Sequence, residues 1–172
     1  MQRLSRSWQS ACTLELKGYK MKNLEIVKVQ TKEDCEICDE FLSKLINYES
    51  SFDNIINAKV NVSGPTENNI KQDDVFVAYA KAEKPVGYVF GYRQFNKGKI
   101  YNTNILVLEA LYVEKEFRKQ GIGEMLLKSF ENWAKEKYGD YVIEITYINA
   151  NENAQKFYEK MGYSPVKSTL RK

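Results

Sequence analysis

The chain contains no histidine among its 172 residues. That weakens two chemistries at once: a zinc site loses its commonest nitrogen ligand, and a nucleophilic Ser or Cys loses its usual activating base. Cysteines are three, Cys12, Cys35 and Cys38, an odd number without a disulfide framework. Cys35 and Cys38 form a C-x-x-C pair, but it falls inside a helical pattern in which Cys38, Phe41, Leu42 and Leu45 make one apolar stripe, so structural thiols are expected. Unbridged thiols fit a reducing compartment, and a cytoplasmic location is the expectation. No apolar run is long enough to span a membrane. A formal charge of +3 is too small to imply nucleic acid, and the 12 Tyr and 8 Phe are dispersed, with no interleaved basic cluster.

What is present is ordinary for a globular domain, with 43% apolar and 28% charged residues in a length suited to one core. Residues 1–22 carry Arg3, Arg6, Lys17, Lys20 and Lys22 without a continuous apolar segment, which argues against a secretory signal. They are expected to be an extension, disordered or a leader, ahead of a single domain over 23–172. Leu24 to Val29 reads as a first strand. Thr31 with Asp34 makes a plausible cap for a helix running towards Ile46. Tyr48 to Asp73 is polar and reads as a short irregular helix or loop with a turn at Ser63-Gly64-Pro65. Val75–Ala80 and Val86–Arg93 read as strands joined by a hairpin-like connection, and Lys97 to Asn104 as a loop. Ser164 to Leu170 is expected to add a last strand.

The most informative stretch runs from Ile105 to Leu127. Nine residues, Ile105 to Val113, contain a single charge at Glu109 and read as a strand covered on both faces. After a short polar turn, Gly121-Ile122-Gly123 opens a helix whose apolar residues are Ile122, Leu126, Leu127, Phe130, Trp133 and Ala134. The first turn of a helix has N–H groups without partners and a positive dipole end, and two glycines there let an anion come close. Arg118 and Lys119 stand beside it. Gly123 is followed by Glu124 and Met125, which excludes the Gly-Lys-Ser/Thr of a nucleotide P-loop, and Leu126 stands where a dinucleotide fingerprint needs its third glycine.

What remains, Arg118-x-x-Gly121-x-Gly123 after a buried strand, resembles the pyrophosphate-binding motif of the GNAT superfamily of acetyl-CoA-dependent N-acetyltransferases. A second stretch, Asn151 to Tyr163, is similar to the last helix of that superfamily, with Asn151, Ala154 and Tyr158-Glu159-Lys160-x-Gly162-Tyr163 at matching spacings. The resemblance covers Asp74 to about Leu170 and implies an α/β fold: a mostly antiparallel mixed sheet flanked by helices and splayed at the acetyl-CoA site. It implies that backbone amides of Lys119, Gln120, Gly121, Ile122, Gly123 and Glu124 cradle the pyrophosphate of acetyl-CoA, with Arg118 beside them. Leu111, Tyr112 and Val113 would pair with the pantetheine arm, and Asn151 would reach the cofactor. Tyr158 would contact the cofactor and protonate its leaving thiolate. Glu109 would be the general base, directly or through a water. By alternation with Val107 and Leu111 it is expected to be buried among apolar neighbours; the competing reading is a structural salt bridge to Arg93. Without a histidine, direct attack by the amine in a ternary complex is favoured over a covalent acyl-enzyme.

The implied partner is an amine acceptor, small molecule or peptide, with no metal, nucleic acid or membrane, and a homodimer is compatible with the sequence. Aminoglycosides, polyamines, protein amines and amino-acid derivatives are all open. Glu49, Asp53, Glu67, Asp73 and Asp74 could draw a cationic amine or could simply be surface acids. A domain that binds acyl-CoA as a sensor, without turnover, is the alternative.

Overall fold

A computed structural model describes residues 24–95 and 101–172. The expected leader and most of the loop before Asn104 lie outside the described residues. Five strands form one sheet in the order β1-β2-β3-β4-β5: β1 (Glu25–Lys28), β2 (Val75–Lys81), β3 (Pro85–Arg93), β4 (Asn104–Val113) and β5 (Tyr141–Ile145). All neighbouring pairs are antiparallel except β4 with β5. The helices are α1 (Lys32–Glu49), α2 (Pro65–Asn69), α3 (Ile122–Tyr138) and α4 (Glu152–Lys160). No described helix is long and apolar enough to cross a membrane.

Helix α1 starts where its local chemistry says it should. The Thr31 hydroxyl accepts from the Asp34 N–H at 3.1 Å, and an Asp34 carboxylate oxygen accepts from the Thr31 N–H at 3.0 Å, closing a reciprocal cap. Short α2 is capped from a distance instead. Buried Asp39 of α1 accepts from the N–H of Gly64 at 2.6 Å, the N–H of Thr66 at 3.2 Å and the Thr66 hydroxyl at 2.5 Å. Gly64 and Pro65, read as a turn, are the entry to this helix.

The sheet has a core on each face. One joins Leu106, Leu108, Val89 and Phe76 to Leu126, Leu127 and Phe130 of α3, with Phe157 and Tyr158 of α4 packed at its margin. Gly91 is essential to that layer, because a Cβ there would stand 2.5 Å from the Phe130 ring and 2.7 Å from the Val107 carbonyl oxygen. The other joins Val77, Tyr79, Tyr88 and Ala110 to Cys35, Cys38 and Phe41 of α1. Both thiols are buried, and burial pushes each of them above the ordinary cysteine range, which makes them poor nucleophiles and fits the structural reading.

Two expectations are corrected. The segment 164–170 forms no strand: Val166 and Leu170 stand 79% and 93% exposed, and Pro165 has no N–H to give to a ladder. This tail is tethered by its charges, Lys167 to Glu144 at 2.7 Å and Arg171 to Asp53. The second correction lies within β4. The register with β3 pairs Phe90 with Ala110 but Gly91 with Leu108, so Glu109 is the extra residue of a β-bulge. Leu106 and Leu108 face α3 before the bulge, Ala110 and Tyr112 face α1 after it, and Leu111 and Val113 face α3 again. Leu111 is therefore not on the face of Glu109, and Glu109 is exposed, not buried.

Candidate functional site

The parallel pairing of β4 with β5 runs only from Asn104↔Tyr141 to Leu108↔Ile145. Beyond Leu108 the two strands part, and Ala110 to Val113 keep a ladder with β3 alone. The Glu114 N–H bonds the Val86 carbonyl on β3 at 2.9 Å, so alternation turns the backbone polar groups of Tyr112 towards β3 and those of Leu111 and Val113 towards the open edge. The Val113 carbonyl already accepts from Arg118 Nε at 2.8 Å.

That bond closes the turn into α3. Lys119 (φ 60°) and Gly121 (φ 81°) are both left-handed, which is strained for a lysine and easy for a glycine. The first helical bond runs from the Met125 N–H to the Gly121 carbonyl at 3.0 Å. From Lys119 to Glu124 no backbone N–H has a protein partner among the described residues. A run of open donors in a curled loop, continued by a helix N-terminus, forms an anion-binding concavity. Beside it opens a cleft of about 720 Å³ whose lining includes Lys44, Lys59, Lys115, Arg118, Tyr48 and Tyr112. The Arg118 guanidinium lies 4.5 Å from the centre of the Tyr48 ring, so it both closes the turn and makes this wall positive. Tyr48 and the lysines of the cleft were not identified from sequence, because only folding brings α1 against the turn.

Asn151 is buried, and its Oδ1 accepts from the Ala154 N–H at 3.2 Å, which caps α4. The local role of this residue is thus clear, and its amide nitrogen and the second lone pair of Oδ1 remain for any ligand. Asn153, not Asn151, reaches the lining of the basic cleft.

Tyr158 sits among Phe157, Tyr147 and Tyr163, with ring centres 5.1, 6.1 and 6.1 Å away. Burial, and then the negative charge of Glu49, push its hydroxyl above the ordinary tyrosine range, so it holds its proton at neutral pH. Glu49 belongs to α1 on the opposite side of the sheet; the splay is where the two sides meet. Glu109 accepts a hydrogen bond from the Tyr92 hydroxyl at 3.3 Å. The alternative pairing with Arg93 is not formed: Arg93 lies over the rings of Phe95 and Tyr138, 5.4 and 5.5 Å from their centres. The fold therefore joins Glu109 to Tyr92 at the bulge and sets Phe157, next to Tyr158, against the glycine turn, 3.4 Å from where a Cβ on Gly123 would stand.

The site thus combines an open mixed sheet, splayed at its one parallel pair, with a turn of open N–H donors. The chain belongs to the acetyltransferase (GNAT) family, whose family model matches residues 46–163. It is 27% identical over 143 residues to the thialysine N-epsilon-acetyltransferase of Caenorhabditis elegans, covering 83% of this chain and 84% of that one. Among solved structures it resembles AAC(6')-Iy in complex with the bisubstrate analogue CoA-S-monomethyl-acetylneamine, with a TM-score of 0.67 and 17% identity over 88% of this chain and 97% of the other. A Bacillus halodurans protein superimposes with a TM-score of 0.72 at 16% identity, covering 85% of this chain and 96% of that one. These two likenesses are of fold.

Proposed function

We propose that this chain, as one acetyltransferase domain over 23–172, moves an acetyl group from acetyl-CoA to a primary amine by direct attack in a ternary complex. The observation that carries the reading is the turn Lys119 to Glu124, whose backbone donors are open at the mouth of the β4–β5 splay. Those donors suit a pyrophosphate, and the edge of Leu111 and Val113 suits the amide-bearing pantetheine arm. Acetyl-CoA, when bound, supplies an acyl carbon activated by its thioester.

The chain's own residues then have three tasks. The turn and the positive wall at Arg118 hold the phosphates. Glu109, exposed at the bulge and hydrogen-bonded by Tyr92, takes a proton from the acceptor's ammonium directly or through a water, and the neutral amine then attacks the thioester carbon. Tyr158, a neutral hydroxyl at neutral pH, donates its proton to the departing thiolate. A free-thiol release assay with acetyl-CoA against a panel of amines tests the reading, with thialysine included because the worm relative is named for it. Thiol release that depends on amine supports it. Tight acetyl-CoA binding with no amine-dependent release would instead make the domain a binder.

A further inference from the structure

The cleft beside the turn carries positive charge that the fold leaves unmatched. Its lining holds the cations Lys44, Lys59, Lys115 and Arg118 against a single acid, Glu40. Lys44 lies between Glu40 and Glu114, 2.7 Å from each, so its charge is already met. The ammonium groups of Lys59 and Lys115 and the terminal nitrogens of Arg118 have no hydrogen-bond or ion-pair partner among the described residues. Unmatched cations around one concavity repel each other and draw an anion.

Contacts fix where these groups stand. Arg118 Nε donates to the Val113 carbonyl at 2.8 Å, and its guanidinium lies 4.5 and 5.5 Å from the ring centres of Tyr48 and Tyr112. Tyr48 is braced in turn by Phe52, with ring centres 5.1 Å apart. With Nε engaged, the two terminal nitrogens remain as a fork, the geometry that suits a phosphate. Lys59 comes from the segment after α1, which α1 grips on both sides of it. The Asn47 amide donates to the Ala58 carbonyl at 2.8 Å, and the Val62 N–H donates to the Ser43 hydroxyl at 2.8 Å. The Lys59 N–H itself donates to Asn57 Oδ1 at 3.0 Å, closing a local turn.

We infer that this cleft is a second phosphate subsite, in which Lys59, Lys115 and Arg118 take the ribose 3′-phosphate of acetyl-CoA. This rests on the acetyltransferase reading above. Arg118 belongs both to the cleft and to the turn, so a group in the cleft stands next to whatever the donors of Lys119 to Glu124 hold. In coenzyme A the 3′-phosphate lies a few bonded atoms from the pyrophosphate, and as a monoester it carries a charge of about −1.5 to −2 at neutral pH. A cleft of about 720 Å³ is of the size that takes a small molecule, more than a lone phosphate fills. An acidic group on the acceptor is the competing occupant. The lining favours the cofactor, because Tyr112, Lys115 and Arg118 lie between Glu109 and the glycine turn in the chain, while Glu109 and Tyr158 are absent from it.

Calorimetry with acetyl-CoA and with acetyl-3′-dephospho-CoA tests the subsite, since the two ligands differ only in that phosphate. Wild type should bind acetyl-CoA about tenfold more tightly, the equivalent of one charge-assisted hydrogen bond discounted for the exposure of the lysines. The Lys59→Gln, Lys115→Gln double variant should bring that ratio towards one by weakening acetyl-CoA alone. Lys59→Arg, which keeps the charge, should keep most of the preference. Melting temperatures report whether each variant is folded. A wild-type ratio near one, or a folded double variant that keeps the wild-type ratio or weakens both ligands equally, overturns the subsite and leaves the acetyltransferase reading standing. Failure of both ligands to bind wild type overturns that reading and the subsite with it.

Discussion

Substitution at Gly121 separates the cost of bending the turn from the cost of losing its anion. Its φ of 81° is a conformation that glycine adopts freely and other residues resist. Gly121→Ala should therefore cost about 1–2 kcal/mol of stability, lowering the melting temperature by roughly 2–8 °C for a domain of this size. Gly121→Asp adds a carboxylate beside the open donors of Lys119 to Glu124. A negative charge about 4 Å from a phosphate is worth about 4 kcal/mol at an effective dielectric of 20. Solvent screening reduces that to about 2–3 kcal/mol at such an open site, or a thirty- to hundredfold loss of acetyl-CoA affinity beyond the alanine variant. Calorimetry with acetyl-CoA and with S-acetylpantetheine, which has no phosphate diester, reads the two effects separately. The aspartate should weaken the first far more than the second. Equal weakening of both ligands, or unchanged acetyl-CoA affinity in a folded variant, would refute the phosphate cradle.

The remaining expectations concern protons. Tyr158→Phe keeps the packing against Phe157, Tyr147 and Tyr163 and removes one hydroxyl; it should lower kcat by about 10², and a change within about twofold while chemistry limits the rate would make Tyr158 a packing residue. Glu109→Gln should lower kcat by about 10² at near-normal acetyl-CoA affinity; a rate within about twofold of wild type places the base elsewhere. Asp34 gives a pH dependence of stability. Burial works against its charge, but the N–H groups of Thr31 and Gln30 and the hydroxyl of Tyr79 prevail and hold its pKa below the usual aspartate value. Because the folded value is the lower one, its contribution is present above about pH 3.8, the unfolded value, and is lost as pH falls through the folded one. Asp34→Ala should thus lower the melting temperature at pH 7 and have a smaller effect at pH 3, which thermal melts at the two pH values will check.

Some of this protein could be read from the chain alone because the controlling interactions are local. The cap at Thr31 and Asp34 closes within three residues. The strand, turn and helix from Ile105 onward follow from hydrophobic pattern and from two glycines, and Asn151 begins α4 through its own cap. In such segments the residue types, their spacing and backbone sterics leave few alternatives.

Tertiary structure decided everything that depended on register or on partners far apart in sequence. Alternation through β4 assumes an unbroken ladder, but the bulge at Glu109 shifts the pairing by one residue, sends Leu111 to the opposite face and leaves Glu109 exposed. The tail 164–170 has strand-forming residues, yet a strand needs an edge to pair with and a face to cover, and charge pairs to Glu144 and Asp53 hold the tail instead. Glu49 was one of five acids in sequence. Only the folded chain gives Asp53 and Asp74 their cations and leaves Glu49 half-buried without one among the described residues, because these ion pairs depend on distances of a few ångströms between residues that the chain separates by dozens of positions.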